Sequence, residues 1–301
     1  MTDDTTPDSG GGSGAGGMDV GPGGAKHPPF TLRTLRAMAE KGEAFACLTC
    51  YDATTASWLE SAGVHVLLVG DTAAEVVLGY PSTVHMPLDV ALALTAGVKR
   101  GAPNTVVMGD MPFMSYQADP SEGIRNAGRF LTEGLADLVK LEADASLAPL
   151  VERMARAGIP VVGHVGSKPQ TAGLTGGYAS RGRTAEDAER VIEDAVALEE
   201  AGAVMLLVEA VPVEVTRRIL DRTSVPLIGI GAGPDPHGQI LVLQDLVGMT
   251  RWQPGFAKPV AHLGPMLEEA AGEWVHRVSA REITEHRYRM KMGEGAKLER
   301  G

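Results

Sequence analysis

The sequence predicts an α/β protein built as a (β/α)8 barrel, and three observations lead there. Seven strand-length runs rich in Val, Leu and Ile recur between residues 44 and 233. Continuous apolar runs of this kind suit strands buried on both faces of a parallel sheet. Longer amphipathic segments separate them, and repeated β-α units with right-handed crossovers give a parallel sheet. Polar residues then gather at the C-terminal ends of the runs, the face on which such barrels build their sites.

In order, residues 1–29 form a Gly-rich, polar stretch with too little apolar surface to offset ordering entropy, so a disordered tail is expected. It has no basic segment followed by an apolar one, so no signal peptide is expected. Residues 30–301 are expected to be one barrel domain with a C-terminal helical segment. The apolar runs are "AFACLTCYD" at 44–52, "VHVLLVGDT" at 64–72, "TVVMGDMP" at 105–112 and "LADLVKLEA" at 135–143. They continue with "IPVVGHVG" at 159–166, "AVMLLVEAV" at 203–211 and "VPLIGIGAG" at 225–233. Among the helices, "TAEDAERVIEDAVALEEAG" is the clearest. Thr184 is its N-cap, acidic residues fill the first turn, and Gly202 stops it. Ala188, Val191, Ile192, Val196 and Leu198 give it a broad apolar face. "QILVLQDLVG" has apolar residues at both spacings. A helix is expected there, with strand eight at 256–261 and a final amphipathic helix over 265–283.

Composition excludes some partners. The 301 residues are 44% hydrophobic, enough for a large core, and carry a formal net charge of -11. An acidic surface repels phosphate backbones, so no nucleic-acid partner is expected. No apolar run approaches the ~20 residues that span a membrane. Two cysteines and no export signal suggest a reduced, cytoplasmic protein.

The run ends carry the chemistry. They supply Tyr51 and Asp52, then Asp71 and Thr72, Asp110, Lys140 with Glu142, His164 and Glu209. Asp71 and Asp110 end neighbouring strands, and two adjacent carboxylates repel unless a cation lies between them. Oxygen ligands without a His-Cys cluster favour Mg2+ over Zn2+. Glu142 can complete the shell. Lys140 and Glu142, two apart on a strand, share a face, and Lys140 suits an anionic substrate oxygen. The alternative for Lys140 and Glu209 is a buried structural ion pair. Glu209 is otherwise a candidate general base. His164 is either a donor to substrate or a satisfied core imidazole. "GIGAGP" at 229–234 resembles a phosphate loop, but a lone Gly-rich turn also serves simple close packing. Cys47 and Cys50, at odd spacing in the first run, face opposite sides of the sheet and make neither a redox nor a zinc pair.

Taken together, "TCYDATTA", "LLVGDTAAEVVLGYPSTVHMPLD", "VKRGAPNTVVMGDMPFMSYQ", "LVKLEA", "GHVGSKPQ", "GGYASRGR", "LVEAVPVEV" and "IGIGAGPDPHGQILVLQD" resemble the ketopantoate hydroxymethyltransferase family. The resemblance runs from about Thr31 to about His286. It implies a TIM barrel related to the phosphoenolpyruvate mutase and isocitrate lyase barrels. It also implies a homo-oligomer, bound Mg2+, and transfer of a hydroxymethyl unit from 5,10-methylenetetrahydrofolate to 3-methyl-2-oxobutanoate in pantothenate biosynthesis. By motif, Asp71, Asp110 and Glu142 match the family's metal-site acids. Thr72 and Lys140 match substrate-binding positions, Glu209 the base, and Tyr51 and His164 pocket positions.

The chain departs from the family pattern around the pocket. Lys168-Pro169-Gln170 stands for the usual Thr-Pro-Gln, and Ala143-Asp144 for two glycines. Residues 179–183 and 81–83 also differ. A paralogue for another 2-oxo acid, an Mg2+-dependent C–C lyase or mutase, and an idle barrel kept as a binding subunit are the competing expectations.

Overall fold

The computed structural model describes residues 27–283 and 288–292. Most of the expected disordered tail, residues 1–26, lies outside the described residues. Two compact units are present, one up to Leu243 and one from Gln244 on.

The first unit is a closed barrel of eight parallel strands in sequence order. Helix α1 (Leu32–Glu40) precedes it, with Thr31 and Thr34 forming a reciprocal cap. Strand β1 (Phe45–Thr49) leads into α2 (Ala53–Ser61), then β2 (Val66–Val69) and the short α3 (Ala73–Val76). Next come α4 (Leu88–Gly101), β3 (Val106–Asp110), α5 (Pro120–Thr132), β4 (Leu138–Glu142) and α6 (Ala148–Arg156). Strand β5 (Val161–Gly166) precedes the single turn α7 (Ala172–Thr175) and the long α8 (Ala185–Glu200). Strand β6 (Met205–Glu209), α9 (Val213–Arg222), β7 (Leu227–Ile230) and β8 (Gly238–Leu241) complete the ring.

Side chains alternate along each strand, which makes two cores. Leu67, Val107, Val139, Val161, Leu206 and Val208 point outward and pack with the helices. Val66, Leu68, Val106, Met108, Leu138, Val162, Met205, Leu207, Ile228 and Ile240 fill the barrel interior. Leu35, fully buried, packs into the interior cluster together with Phe45. Burying each such side chain contributes about 1.5–3 kcal/mol. The same alternation carries polar residues inward. Asp110 follows Met108 by two, Lys140 and Glu142 continue from Leu138, His164 follows Val162, and Glu209 follows Leu207.

Helix α8 begins at the expected N-cap, where Thr184 Oγ1 accepts from the Asp187 N–H at 3.2 Å. Its buried face is Val191, Ile192, Ala195 and Leu198, with Val196 half-buried. Strand eight is a correction. It is Gly238–Leu241, taking the start of the 239–248 segment expected to be helical, of which only residues 243–246 are a helix, and residues 256–261 are not a strand. Closure decides this: Cys47 pairs with Ile240 on one side and Ile228 with Gly238 on the other. That pairing overrides an ambiguous local pattern. Gly238 is required there, because a methyl group would run into the Phe45 ring. Strand β1 also stops earlier than expected, at Thr49, so Cys50 lies just beyond it. Cys47 sits in the interior cluster and Cys50 in the outer one; both are free thiols.

Short helix α10 (Leu243–Leu246) ends the first unit and begins the second. Within the second unit, Thr250 Oγ1 donates to Asp245 Oδ1 at 2.6 Å and the Val260 N–H to the Leu246 carbonyl at 2.8 Å. Helix α11 (Leu263–Ser279) buries none of its residues and exposes Met266, Leu267, Trp274 and Val275. Among the described residues, no helix is long and apolar enough to cross a membrane.

Candidate active site

Strand register builds the pocket at the C-terminal end of the barrel. Asp110 pairs with Lys140 across β3 and β4, Glu142 with His164 across β4 and β5, and Gly166 with Glu209 across β5 and β6. The pocket is lined by Asp71, Thr72, Asp110, Lys140, Glu142, His164 and Glu209, over a floor of Leu68, Leu207, Ile230 and Ile240. Its enclosed space is about 50 Å³, room for a few water-sized groups.

Lys140 Nζ donates to both oxygens of Asp110 at 2.7 Å, and both side chains are buried. The Asp71 N–H donates to Asp110 Oδ2 at 3.2 Å. Burial works against the Lys140 charge, but Asp110, Asp71 and Glu142 outweigh it and hold the ammonium charged. Burial first, then the Asp110 charge, pushes the Asp71 carboxyl up to about 7, against Lys140 and Gln170. Burial raises Glu142 well above the usual carboxylate range, with Asp71 and Asp110 adding to it and Lys140 opposing. Three acids thus face one ammonium in a dry setting, more than one cation can keep ionised.

That imbalance fits a divalent cation, which would be held by hard oxygen ligands. Among the described residues, no three Asp, Glu, His or Cys side chains converge as a ready-made metal cage. A cation here would take one or two of these carboxylates and complete its shell with other oxygens, a manner that suits Mg2+.

Glu209 and His164 form the opposite wall. Glu209 Oε2 lies 3.4 Å from His164 Nε2, outside hydrogen-bond geometry, and neither His164 ring nitrogen is hydrogen-bonded. Burial, then the Lys140 charge, lowers the His164 pKa, so the imidazole is neutral near pH 7. Glu209 is followed by Ala210, at φ 50° in the left-handed region, which bends the chain away from the strand. Gly166, at φ 91°, turns β5 beside it, where a methyl group would strike the Glu209 carbonyl. Thr72, at the start of α3, makes no capping bond with its side chain.

Two residues of the first strand end stand apart. Tyr51 is buried beside the pocket without lining it. Its hydroxyl makes no hydrogen bond of normal geometry, and burial with the nearby Asp71 and Asp110 charges raises its pKa. Asp52 is the N-cap of α2, accepting from the Thr55 N–H at 2.8 Å. One site residue was not singled out from the sequence. Gln170 is buried and touches both Asp71 and Glu142. Its signal was present in "SKPQ", but nothing local distinguishes a glutamine that enters a site from one that faces water.

Residues 29–285 match the family model described as ketopantoate hydroxymethyltransferase. The chain is 43% identical over 258 residues to the 3-methyl-2-oxobutanoate hydroxymethyltransferase of Thermobifida fusca, covering 86% of this chain and 92% of that protein. It is 44% identical over 255 residues to the enzyme of the same name from Syntrophus aciditrophicus, covering 84% and 94%. Among solved structures, a phosphonopyruvate hydrolase superposes with a TM-score of 0.58 at 14% identity, covering 90% of this chain and 97% of that one. A 2,3-dimethylmalate lyase of the phosphoenolpyruvate mutase/isocitrate lyase superfamily superposes with a TM-score of 0.54 at 18% identity, covering 89% and 96%. These two structures share the fold alone.

Proposed function

The chain belongs to the ketopantoate hydroxymethyltransferase family, and from that premise we propose how its pocket works. It is a transferase that places a hydroxymethyl group on 3-methyl-2-oxobutanoate in pantothenate biosynthesis. With that activity carried at over 40% identity, a C–C lyase, a mutase or an idle barrel has no observation in its favour. The one-carbon donor in this reading is 5,10-methylenetetrahydrofolate and the metal Mg2+, which Asp71, Asp110 and Glu142 would hold. When bound, Mg2+ supplies Lewis-acid polarisation of the 2-oxo acid.

The chain's own groups do the rest. Lys140 offers a fixed positive charge where negative charge develops on the substrate oxygen. Thr72 donates its hydroxyl to the substrate carboxylate. Glu209 takes the C3 proton, and neutral His164 beside it holds the transferred proton in place. The C3 electron pair then forms the new bond to the folate methylene carbon. That carbon is bonded to two folate nitrogens and both C–N bonds break: C3 replaces one nitrogen and an oxygen from water replaces the other, while the C3 proton and one proton of the water end on the two nitrogens. Tyr51 supports the pocket from behind.

The observation that carries this reading is the Lys140–Asp110 pair set among further buried carboxylates, facing Glu209 across one pocket. The exposed apolar stripe of α11 supports a homo-oligomer, since such a surface marks a subunit interface. The free, buried thiols suit a reducing cytoplasm. The test is proton exchange at C3 of 3-methyl-2-oxobutanoate in D2O, followed by NMR without folate, and product formation when methylenetetrahydrofolate is added. Both are expected to require a divalent cation. Undiminished product formation in the presence of a chelator would remove Mg2+ from the proposal. Exchange without product would remove the folate donor.

A further inference from the structure

We infer that Gln170 is the positioning residue of the cation site: it holds Asp71 and Glu142 in place without neutralising either. The inference rests on the proposed Mg2+ site and adds a residue to it. Gln170 lies in the turn after β5 with only 4% of its surface exposed. Its backbone N–H donates to Glu142 Oε1 at 3.2 Å and Oε2 at 3.1 Å. Its side-chain Nε2 donates to Asp71 Oδ2 at 2.9 Å and to the Met111 carbonyl at 3.0 Å. Its Oε1 accepts from Gln117 Nε2 at 3.0 Å and from the Tyr116 hydroxyl at 3.1 Å, a proton Tyr116 shares with the Glu142 carbonyl.

The side-chain amide is therefore fully used, and its orientation is fixed. Its nitrogen faces two acceptors and its oxygen faces two donors, so a flip would set oxygen against the Asp71 carboxylate. One residue thus ties together acids from the ends of two different strands.

The chemical type matters as much as the contact. Asp110 is matched by the Lys140 ammonium. Asp71 and Glu142 are held by neutral N–H donors, which orient an acid group and leave it free to exchange its proton for a cation. A lysine at position 170 would cancel the field that attracts a cation, and a glutamate would repel both acids. The one charged neighbour in the turn is engaged elsewhere: Lys168 Nζ donates to Asp144 Oδ2 at 2.8 Å. Groups that orient metal ligands through hydrogen bonds typically change metal affinity 10–100-fold when removed.

The experiment measures Mn2+, a spectroscopic substitute for Mg2+, binding to full-length protein by electron paramagnetic resonance and calorimetry, with no substrate present. Wild type, Asp71→Asn and Gln170→Met are compared, with circular dichroism to show that each is folded. Wild type is expected to bind one Mn2+ per site, Asp71→Asn to lose it, and Gln170→Met to weaken it by about 10–100-fold with a broadened spectrum. A residue with only a structural role would lower the melting temperature and leave the affinity and spectrum of the folded protein unchanged. Folded Gln170→Met that binds Mn2+ as wild type does, while Asp71→Asn does not, overturns the role of Gln170 and spares the metal site. Wild type that binds no Mn2+ or Mg2+ overturns both. Should Gln170→Met not fold, Tyr116→Phe with Gln117→Ala strips both donors from Oε1 and frees the amide to rotate. That variant is expected to lose affinity in the same direction, and wild-type affinity in it overturns the inference.

Discussion

Buried acids occur at both ends of this barrel, and the protein treats them in opposite ways. At the end where the strands begin, Glu60 is fully buried and alone. It accepts from the Asn104 N–H at 2.7 Å, Asn104 Nδ2 at 3.2 Å and Thr105 Oγ1 at 3.3 Å. The three donors to its carboxylate are all neutral amide and hydroxyl groups. At the end where the strands finish, Asp71, Asp110 and Glu142 are crowded together over a single ammonium. The first arrangement satisfies a charge and fastens α2 to the loop before β3. The second leaves charge unsatisfied, which raises energy unless a ligand supplies the missing partner. Burial is common to both, so burial of an acid is no sign of function. Crowding of acids with too few donors is.

The contrast can be broken most forcefully at the strand-end site. Glu209→Gln is expected to slow C3 deuterium exchange by about 10²–10⁴-fold while keeping the melting temperature of the parent. Because the exchange assay needs no folate, it isolates proton transfer, and an unchanged rate would pass the role to His164. Lys140→Met is expected to cost about 10²–10³-fold in turnover, and here stability also suffers because Asp110 loses its buried partner.

At the opposite end the same kind of substitution should act on stability alone. Glu60→Ala leaves three donors without an acceptor, which costs about 3 kcal/mol in urea denaturation. The folded fraction is expected to turn over at the parental rate. A large drop in kcat for folded Glu60→Ala would dissolve the distinction between the two ends.

Proton linkage gives a smaller, sharper comparison. Folding raises the Asp71 carboxyl from its ordinary range to about 7. A carboxyl raised on folding contributes stability that is fully present below its unfolded value and is lost as pH rises through its folded value. Asp71 should therefore make metal-free protein lose stability between about pH 4 and 7, contributing at most about 1.4 kcal/mol per pH unit, and Glu142, also raised on folding, acts in the same direction. Asp71→Asn should flatten that slope, and Mg2+ should reverse it by displacing the proton. Thermal melts of chelator-treated protein across this range provide the measurement.

The smallest effect is expected at the rim. The Lys168–Asp144 pair is 2.8 Å long, with side-chain exposures of 15% and 41%. Lys168→Thr, which restores the family's usual residue, should change stability by no more than about 1 kcal/mol. Steady-state kinetics on several 2-oxo acids would register any specificity it carries. A several-fold change in preference would show that the altered rim selects substrate.

The sequence by itself determined the barrel and most of its site. Apolar runs wrote seven strands, because a strand buried on both faces has no polar positions to interrupt it. The polar residues at their ends wrote the pocket, because a parallel barrel delivers all those ends to one face. Period-two alternation already put Lys140 and Glu142 on the same side. Only the tertiary structure decided the rest. Strand eight lies at Gly238–Leu241 because the ring must close between β7 and β1, a demand no local window contains. Asp52 became a helix cap and Tyr51 withdrew behind the pocket, since the chain leaves β1 at Thr49, before it reaches either. Gln170 entered the site from a turn after β5 and bonded to Asp71, 99 residues away in sequence. A hydrogen bond across that separation has no signature in the residues on either side of it; it exists only once the strands have fixed where both ends stand.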